Sequence, residues 1–539
     1  MSLAQPDAGT IRQQIEQGQT PSLPQEALPE KPAEPAPLII PDGATVTVKE
    51  FLFVGNTLLS ADQLARIVAP YLDRPLSLIE LRQAAAAVAG AYRAAGWVVR
   101  AYLPRQEIKD GIVTIRIVEA VFGGTAIEGD APRRINTSRI LAMVDKAQVR
   151  GEKLRSKDID RALLLIDDLP GVAITGSLKA GQAEGETALA LKLADEPLTR
   201  IEIGADNTGS RSTGSERLTA NLAFNSPLRL ADLFSTSLLH SKGTNYVRSA
   251  YSLPVGQRGW RVSINGSFLD YRLVSRQFSA LDGEGQSYSF GLDANYPVIR
   301  SKLRNLYLRL SLDNKSFNNQ ANNITTTRYR VNNAGVSLSG NLFDRLGGGG
   351  ANVANLTLTL GRVDLGSLNA SEDARLDGSF SKLRYSLSRQ QVITPAISLY
   401  AGFSGQWTSD NLDSSEKFYL GGAYGVRAYP ASEAGGAKAQ MLNLELRFKL
   451  PMGITVTPFY DWGRVRVNVD NQGMTAVDTN RIILKGGGIA LGWQGKKGMT
   501  ARLTWARRIG DNPNPTATGK DQDGSLVRDR FWASVMLPF

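Results

Sequence analysis

The chain ends in the stretch FWASVMLPF, residues 531–539, and this stretch decides the fold class. Its alternate side chains are apolar, and they are Phe531, Ala533, Val535, Leu537 and Phe539. Because successive strand residues point to opposite faces, these side chains share one face. A soluble sheet that ended on such an exposed edge strand would invite aggregation, whereas lipid can cover that face in a membrane barrel. The stretch therefore predicts the closing strand of an outer-membrane β-barrel, with an assembly signal at Phe531, Val535, Leu537 and Phe539.

Residues 198–539 carry the same alternation, in short segments separated by Gly, Asn, Asp and Ser. Leu356, Leu358 and Leu360, for example, alternate with polar residues. We count roughly 16 segments of about ten residues, the length that a tilted membrane strand needs. The second face is too polar for a dry sandwich core, but a wide barrel accepts it in a wet lumen. The sequence favours an antiparallel transmembrane β-barrel of about 16 strands over a secreted β-sandwich array or a β-helix.

Two small α/β units precede the predicted barrel, at residues 45–119 and 120–197. Each has the order strand, helix, helix, strand, strand, so the chain contains an internal repeat of about 75 residues. Ser77 and Glu80 have the spacing of a capping box, which predicts the start of the second helix in the first unit. A repeat of this kind indicates two copies of one domain rather than a single large core.

The first 44 residues contain no third unit. Ile11 and Ile15 lie one helical turn apart and predict a short helix within residues 1–20. Residues 21–44 are rich in proline and predict an extended, semi-rigid linker. Residues 1–20 hold no apolar core of ~7–15 residues, which a signal peptide requires. If the protein reaches the outer membrane, we expect this chain to begin after the cleavage point.

The composition argues against most catalytic centres. The chain has no cysteine and a single histidine, His240, which excludes thiolate metal sites and makes an imidazole metal centre or a Ser-His-Asp triad improbable. The glycines at 347–350 are not followed by the Lys-Ser/Thr of a phosphate-binding loop. The net charge of +11 comes from residues spread along the chain, which indicates a solvated surface rather than a nucleic-acid site. We expect no enzyme activity, no cofactor, no metal and no nucleic-acid partner.

Two short motifs stand in the second half of the barrel. The first is the segment Gly425, Val426, Arg427, Ala428 and Tyr429, in a connection at about residues 412–437. The second is Phe459, Asp461 and Gly463, in the strand that follows Ile454 and Val456. If Ile454 and Val456 face lipid, the alternation of the strand points Asp461 into the lumen. A carboxylate on the lipid face would be costly, so this register is strongly preferred.

This layout resembles the two-partner secretion transporters of the outer membrane, the TpsB family, which includes the exporters of filamentous haemagglutinin and haemolysin. The two repeats resemble POTRA domains, POTRA 1 at 45–119 and POTRA 2 at 120–197, and the resemblance covers the whole chain. Residues 425–429 resemble the family's Val-Arg-Gly-Tyr loop motif, and 459–463 resemble its Asp-x-Gly strand motif. Ala428 replaces the usual glycine, so we expect the backbone there to avoid a positive φ.

The resemblance implies a function and partners. The connection at 412–437 would fold back into the barrel, with Arg427 paired to Asp461, and the helix with Ile11 and Ile15 would plug the pore. The client would be a secreted, β-helical exoprotein with an N-terminal secretion domain. It would cross in extended form without nucleotide hydrolysis, driven by its own folding outside the cell. Further partners would be the barrel-assembly machinery, lipid and lipopolysaccharide, with the POTRA domains in the periplasm.

A client segment could add as a strand to a POTRA sheet edge. In POTRA 1 we expect docking at the strand 97–103 and the helix before it, through Leu81, Val88, Tyr92, Trp97, Val99, Ala101 and Leu103. The simpler interpretation is that most of these apolar residues belong to the domain core.

Two other function classes remain open at this stage. An insertase that folds other barrels would share both motifs but usually has more POTRA repeats, and an exoprotein encoded next to this chain would favour export. A soluble β-rich adhesin would stay in solution without detergent. A hydrolase has no residue constellation to support it.

Overall fold

The computed structural model describes residues 6–18, 45–183, 185–366, 376–431, 433–471 and 480–539. The predicted Pro-rich linker at 21–44 lies outside the described residues. The first described element is helix α1 (Ala8–Gly18), which contains Ile11 and Ile15 as the sequence predicted. Within these ranges, no helix is both long and apolar enough to cross a membrane.

The first α/β unit contains two helices and a three-stranded sheet. Its elements are β1 (Val46–Thr47), β2 (Glu50–Val54), α2 (Ala61–Val68), β3 (Pro75–Leu76), α3 (Leu78–Ala94), β4 (Val99–Tyr102) and β5 (Ile112–Glu119). The sheet order is β2-β5-β4, with β2 parallel and β4 antiparallel to β5. The capping box at Ser77 and Glu80 is present and starts α3, so a local signal set this boundary.

The second unit repeats this plan with slightly longer strands. Its elements are β6 (Val121–Glu128), α4 (Thr137–Ala147), α5 (Ser156–Asp167), β7 (Val172–Ala180) and β8 (Glu186–Asp195). The sheet order is β6-β8-β7, again with one parallel and one antiparallel pair. The same order of elements in both units explains the repeat in the sequence.

Among the described residues, sixteen antiparallel strands close into one barrel. They are β9 (Thr199–Asp206), β10 (Arg217–Asn225), β11 (Leu233–Ser241), β12 (Thr244–Val255), β13 (Trp260–Arg272), β14 (Glu284–Arg300), β15 (Arg304–Ala321), β16 (Ile324–Asp344), β17 (Gly350–Asp364), β18 (Gly378–Thr394), β19 (Ile397–Thr408), β22 (Lys438–Lys449), β23 (Ile454–Arg466), β24 (Arg481–Gln494), β25 (Thr500–Arg508) and β26 (Asp529–Pro538). Two short strands, β20 (Phe418–Tyr419) and β21 (Gly435–Gly436), lie between β19 and β22 and pair only with each other. The predicted fold class is confirmed.

The last strand closes the barrel as its sequence predicts. β26 pairs with β25 on one side and with β9 on the other, so Leu537 lies opposite Ile203. Phe531 is 61 % exposed on the outer face, whereas its neighbour Trp532 is 8 % exposed on the inner face. Closure leaves no unpaired sheet edge, which a lipid-embedded sheet requires.

The second α/β unit packs against one end of the barrel, where the strands are joined by short turns. Arg161 of α5 donates to the Pro297 main-chain oxygen at 2.6 Å. Arg300 of β14 makes two hydrogen bonds of 2.9 Å to the Asp168 carboxylate. The longer connections, including the one between β19 and β22, are at the opposite end. The two ends of the barrel therefore differ in both loop length and domain contacts.

Candidate functional site

The connection between β19 and β22 folds back into the barrel. Residues 409–431 and 433–437 of this connection, here named the inward loop, are mostly buried. The loop contains a 3-10 turn at Ser414–Glu416, followed by the β20–β21 ribbon. β21 consists of two glycines, which admit a close approach of the backbone. The inward loop carries the first motif that the sequence singled out.

Glycines allow a tight turn at this motif. A Cβ on Gly421 would lie 2.0 Å from the Pro430 oxygen, and a Cβ on Gly425 would lie 2.0 Å from the Leu420 oxygen. The Val426 N–H donates to the Leu420 oxygen at 2.7 Å. Any larger residue at either glycine would force the backbone apart. The turn thereby holds the next residue, the motif arginine, in a fixed position.

Arg427 forms a bidentate ion pair with Asp461 of β23. Its Nη2 donates to Asp461 Oδ1 at 2.7 Å and its Nε donates to Oδ2 at 2.8 Å. The Arg427 main-chain N–H adds a bond to Oδ2 at 3.0 Å. Asp461 is 0 % and Arg427 5 % exposed. Parallel bonds of this kind fix the orientation of the guanidinium and are stronger than neutral hydrogen bonds. The structure brings together the two residues that the resemblance paired.

Further groups complete the surroundings of this pair. Arg427 Nη1 donates to Glu445 Oε1 of β22 at 2.8 Å. The guanidinium carbon lies 3.5 Å from the centroid of the Phe459 ring. Asn443 Nδ2 donates to Asp461 Oδ1 at 2.8 Å. A buried charge is tolerated when it is paired and hydrogen-bonded, and each of these contacts satisfies part of that requirement.

The remaining motif residues shape the contact between the loop and the wall. Ala428 does not adopt a positive φ, as expected from alanine in place of glycine. The Ala428 Cβ lies 2.6 Å from the position that a Cβ on Gly486 of β24 would take. A Cβ on Gly463 of β23 would lie 2.8 Å from Leu420 Cδ2. The Arg508 guanidinium lies over the Tyr429 ring, and its Cζ is 4.7 Å from the centroid of the ring. Small wall residues therefore admit the loop.

A second buried ion cluster attaches the start of the loop to another part of the wall. Glu416 Oε1 accepts from Lys315 Nζ of β15 at 2.8 Å and from Asn333 Nδ2 of β16 at 2.9 Å. Glu416 Oε2 accepts from Lys382 Nζ of β18. Glu416 and Lys382 are both buried. The inward loop is therefore fixed to β15–β18 at one end and to β22–β23 at the other.

Sequence analysis did not identify the partners of these two clusters. They are Asn443, Glu445, Glu416, Lys315, Asn333 and Lys382. Five of the six are polar residues on strands that line the lumen, and a wet barrel has many such positions. The sequence carries no signal that says which of them the loop will meet.

Helix α1 lies in the lumen, beside the inward loop. Ile11 and Ile15 are buried, in a cluster with inward-facing residues such as Phe317 of β15. The Ala8 N–H donates to Asn319 Oδ1 of β15 at 2.9 Å. The helix therefore occupies space that an open pore would leave to water.

The docking prediction for the first α/β unit needs correction. Leu81, Val88 and Tyr92 of α3 are buried in the domain core, so they cannot line a docking surface in this structure. They are buried because α3 turns its apolar stripe towards the sheet. The other predicted residues, Trp97, Val99, Ala101 and Leu103, are partly buried and pack against the same core. β4 is an edge strand of its sheet, but Trp97 just before it bridges to Arg155 of the second unit.

Comparisons with known proteins agree with one another. A family model described as "Haemolysin secretion/activation protein ShlB/FhaC/HecB" matches residues 185–495. A second, described as "POTRA domain, ShlB-type", matches residues 46–120. These two matches cover the first α/β unit and the barrel strands from β9 to β24.

Relatives and solved structures extend the likeness to nearly the whole chain. The "Heme/hemopexin transporter protein HuxB" of Haemophilus influenzae (strain 86-028NP) is 25% identical over 562 residues, covering 100% of this chain and 96% of the relative. The "Outer membrane transporter CdiB" of Escherichia coli is 24% identical over 438 residues, covering 76% of this chain and 70% of the relative. The solved structure of CdiB from Escherichia coli aligns with a TM-score of 0.70 at 21% identity, over 94% of this chain and 93% of that one.

Proposed function

Because the chain belongs to the family of haemolysin secretion/activation proteins ShlB/FhaC/HecB, it is an outer-membrane export pore, and we propose that the clamp between Arg427 and Asp461 is what makes the pore competent for export. The clamp holds the inward loop inside the lumen while it leaves the barrel wall intact. This geometry is the observation that carries the proposal.

The clamp has the properties of a functional element rather than of a stabilising one. A buried ion pair is weak support for a fold, because apolar residues of similar volume often give equal or greater stability. What a bidentate pair does provide is a unique orientation. In an export pore, a loop held at a fixed position defines the path that remains for the client.

The proposed client is a large secreted exoprotein that crosses in extended form. The family model describes haemolysin secretion/activation proteins, and HuxB, similar over the full length, is named a heme/hemopexin transporter. A haem-related or hemopexin-related exoprotein is therefore the first client class to test. We propose that the client folds outside the cell and that its folding, rather than nucleotide hydrolysis, drives the movement.

We also propose an orientation and two sets of contacts. The second α/β unit packs at the end with short turns, and outer-membrane barrels place short turns in the periplasm. The POTRA domains would then receive the client there. Lipid and lipopolysaccharide would contact the exposed apolar belt, and the barrel-assembly machinery would insert the chain.

The direct experiment is co-expression of this chain with an exoprotein encoded next to it, followed by an assay of the medium for the exoprotein. We expect secretion that requires the full-length chain and fails with Arg427→Ala, although that variant still assembles. An insertase predicts instead that depletion of the chain lowers the amounts of unrelated outer-membrane barrels. No secreted exoprotein, together with such a loss of other barrels, would overturn the export proposal. A monomer stable in detergent-free buffer would favour the soluble adhesin.

A further inference from the structure

The β20–β21 ribbon presents one main-chain edge to the lumen. Tyr419 lies opposite Gly435, and the next N–H, that of Leu420, donates to the Ala434 oxygen at 3.2 Å. Adjacent residues of an antiparallel strand send their N–H and C=O groups to opposite sides. Since the main-chain N–H of Leu420 points towards the chain of β21, the N–H and C=O of Tyr419 point away from it. The main chain of Tyr419 is therefore an edge of this ribbon that β21 does not use.

A single side chain of α1 covers that edge. Gln17 Nε2 donates to the Tyr419 oxygen at 2.7 Å, and Gln17 Oε1 accepts from the Tyr419 N–H at 3.2 Å. The carboxamide of glutamine presents one donor and one acceptor to the edge, as the N–H and C=O of a single residue in a neighbouring strand do. Gln17 therefore makes the two hydrogen bonds that a neighbouring extended strand would make.

Thr10 of α1 and Asp7, just before α1, contact this part of the loop through their side chains. The Tyr419 hydroxyl donates to Thr10 Oγ1 at 3.0 Å, and the Ser414 hydroxyl donates to Asp7 Oδ2 at 2.8 Å. None of them is needed for the pairing of β20 with β21. The edge can therefore persist when the helix leaves.

Space for an extended chain lies next to this edge. A cavity of about 850 Å³ is lined by residues of α1, of the inward loop and of the wall, including Gln17, Gly18, Tyr419 and Tyr424. A strand that adds to an edge lies about 4.8 Å from it, so removal of α1 would enlarge a space that already borders the edge.

We propose that the main chain of Tyr419 is a docking edge for the extended backbone of the transported polypeptide, and that Gln17 occupies this edge while the pore is idle. The occupant is the client itself, because an extended chain is the form in which it crosses the barrel. The inference rests on the proposed export function. Recognition through main-chain groups is independent of side chains, which suits a pore that must pass a long and varied sequence. Two hydrogen bonds make a weak contact, so each segment of the client can leave as the next arrives.

The first test compares Tyr419→Pro with Tyr419→Phe in the full-length chain with its client. Proline lacks the N–H, and this N–H serves Gln17 rather than the β20–β21 ladder. Phenylalanine keeps the N–H and loses only the hydroxyl. We expect Tyr419→Pro to secrete about tenfold less client than Tyr419→Phe, as the loss of one good hydrogen bond predicts. Equal secretion by the two variants, with secretion by the parent chain, overturns this inference and leaves the export function standing. No secretion by the parent chain overturns both.

A second test keeps the edge unchanged and removes its cover. A photoreactive tyrosine analogue at Tyr424, whose ring lies near Gly18 at the end of α1, reports what occupies the cavity. We expect Gln17→Ala to raise the yield of crosslinks to the client about threefold, because the client no longer competes with the carboxamide. Gln14→Ala is the matched control, since Gln14 Nε2 is buried without a hydrogen-bond partner among the described residues. Equal crosslink yields in the two variants contradict the inference, and this readout holds even if Tyr419→Pro fails to fold.

Discussion

The indole Nε1 of Trp532 donates a hydrogen bond of 2.7 Å to the main-chain oxygen of Arg427. This bond joins the last strand of the barrel to the tip of the inward loop, 105 residues earlier in the chain. Trp532 faces the lumen because its neighbours Phe531 and Ala533 face outward. The strand that closes the barrel therefore also holds the loop that carries the clamp.

Replacing Trp532 with phenylalanine should loosen the loop without opening the barrel. The substitution leaves the Arg427 oxygen buried and without this donor, which destabilises the loop by about 1–3 kcal/mol. We expect faster proteolysis within the inward loop and reduced secretion, at an unchanged level of folded barrel. Trp493→Phe is the control, because Trp493 is exposed on the outer face. Equal proteolysis rates for the two variants would show that the hydrogen bond does not hold the loop.

Loss of the clamp should abolish export but not assembly. Arg427→Ala leaves Asp461 buried and unpaired, and breaking one side of a buried ion pair costs about 3–5 kcal/mol. The barrel ladder does not depend on this bond, so folded protein should still reach the membrane. Arg427→Lys should also fail, because an ammonium cannot form the bidentate contact. Secretion at the parental level by both Arg427→Ala and Asp461→Ala would remove the pair from the mechanism.

Helix α1 should restrict ion flow through the idle pore. Deleting residues 1–20 removes Ile11 and Ile15 from the lumen cluster and vacates the space beside the inward loop. We therefore expect a higher single-channel conductance of the reconstituted protein in planar bilayers. Thr10→Val is a milder comparison, because it removes one hydrogen bond to the loop and keeps the helix. An unchanged conductance after the deletion would count against the plug.

The buried ion cluster around Glu416 predicts that a second substitution partly restores the attachment of the inward loop. Glu416→Gln leaves Lys382 buried beside a neutral group, which should release the start of the loop at a cost of about 3 kcal/mol. Adding Lys382→Met removes one of the two lysine charges that Glu416 compensated, whereas Lys315 remains, so the double variant should recover part of the lost protection against proteases. A double-mutant cycle measures this coupling directly. Additive effects of the two substitutions would falsify the assigned role of this ion pair.

Local patterns predicted the parts of this molecule that local forces determine. The inward direction of Asp461 follows from the two-residue period of its strand, and the capping box of Ser77 fixed the start of α3. The outward face that ends in Phe539 predicted closure of the barrel. In each case the decisive residues are neighbours in sequence.

Other features depend on contacts between distant segments, which a single sequence does not encode visibly. Glu416 meets Lys315, 101 residues away, and nothing near either residue indicates the pairing. The apolar stripe of α3 could have served a docking surface or a core, and only the position of the sheet places Val88 inside. The wrong assignment of Leu81, Val88 and Tyr92 to a docking surface follows from that ambiguity.

Glu119, at the end of β5, connects the two α/β units and predicts a pH dependence. Its Oε1 accepts from the N–H groups of Thr57 and Leu58 at 2.6 and 2.8 Å. Lys153 Nζ of the second unit lies 3.1 Å from Oε2, and the Tyr92 hydroxyl donates to Oε1 at 3.0 Å. Burial alone would raise the pKa of this carboxyl, but the hydrogen bonds from Thr57, Leu58 and Lys153 outweigh it and lower the pKa to about 2.

A lowered folded-state pKa means that the ionised form stabilises the fold. This contribution is fully present above the ordinary glutamate pKa of 4.5 and is lost as the pH falls from there towards about 2. Glu119→Gln should lower the free energy of unfolding of the first unit by about 1.5–3 kcal/mol at neutral pH. The variant should also lose less stability at acid pH than the parent chain does. Hydrogen exchange of the detergent-solubilised full-length chain measures both effects. Glu128→Gln is the control, because Glu128 pairs with Lys179 at the surface, where ion pairs contribute little. If the two variants lose stability at acid pH to the same extent as the parent chain, ionised Glu119 does not stabilise the contact between the units.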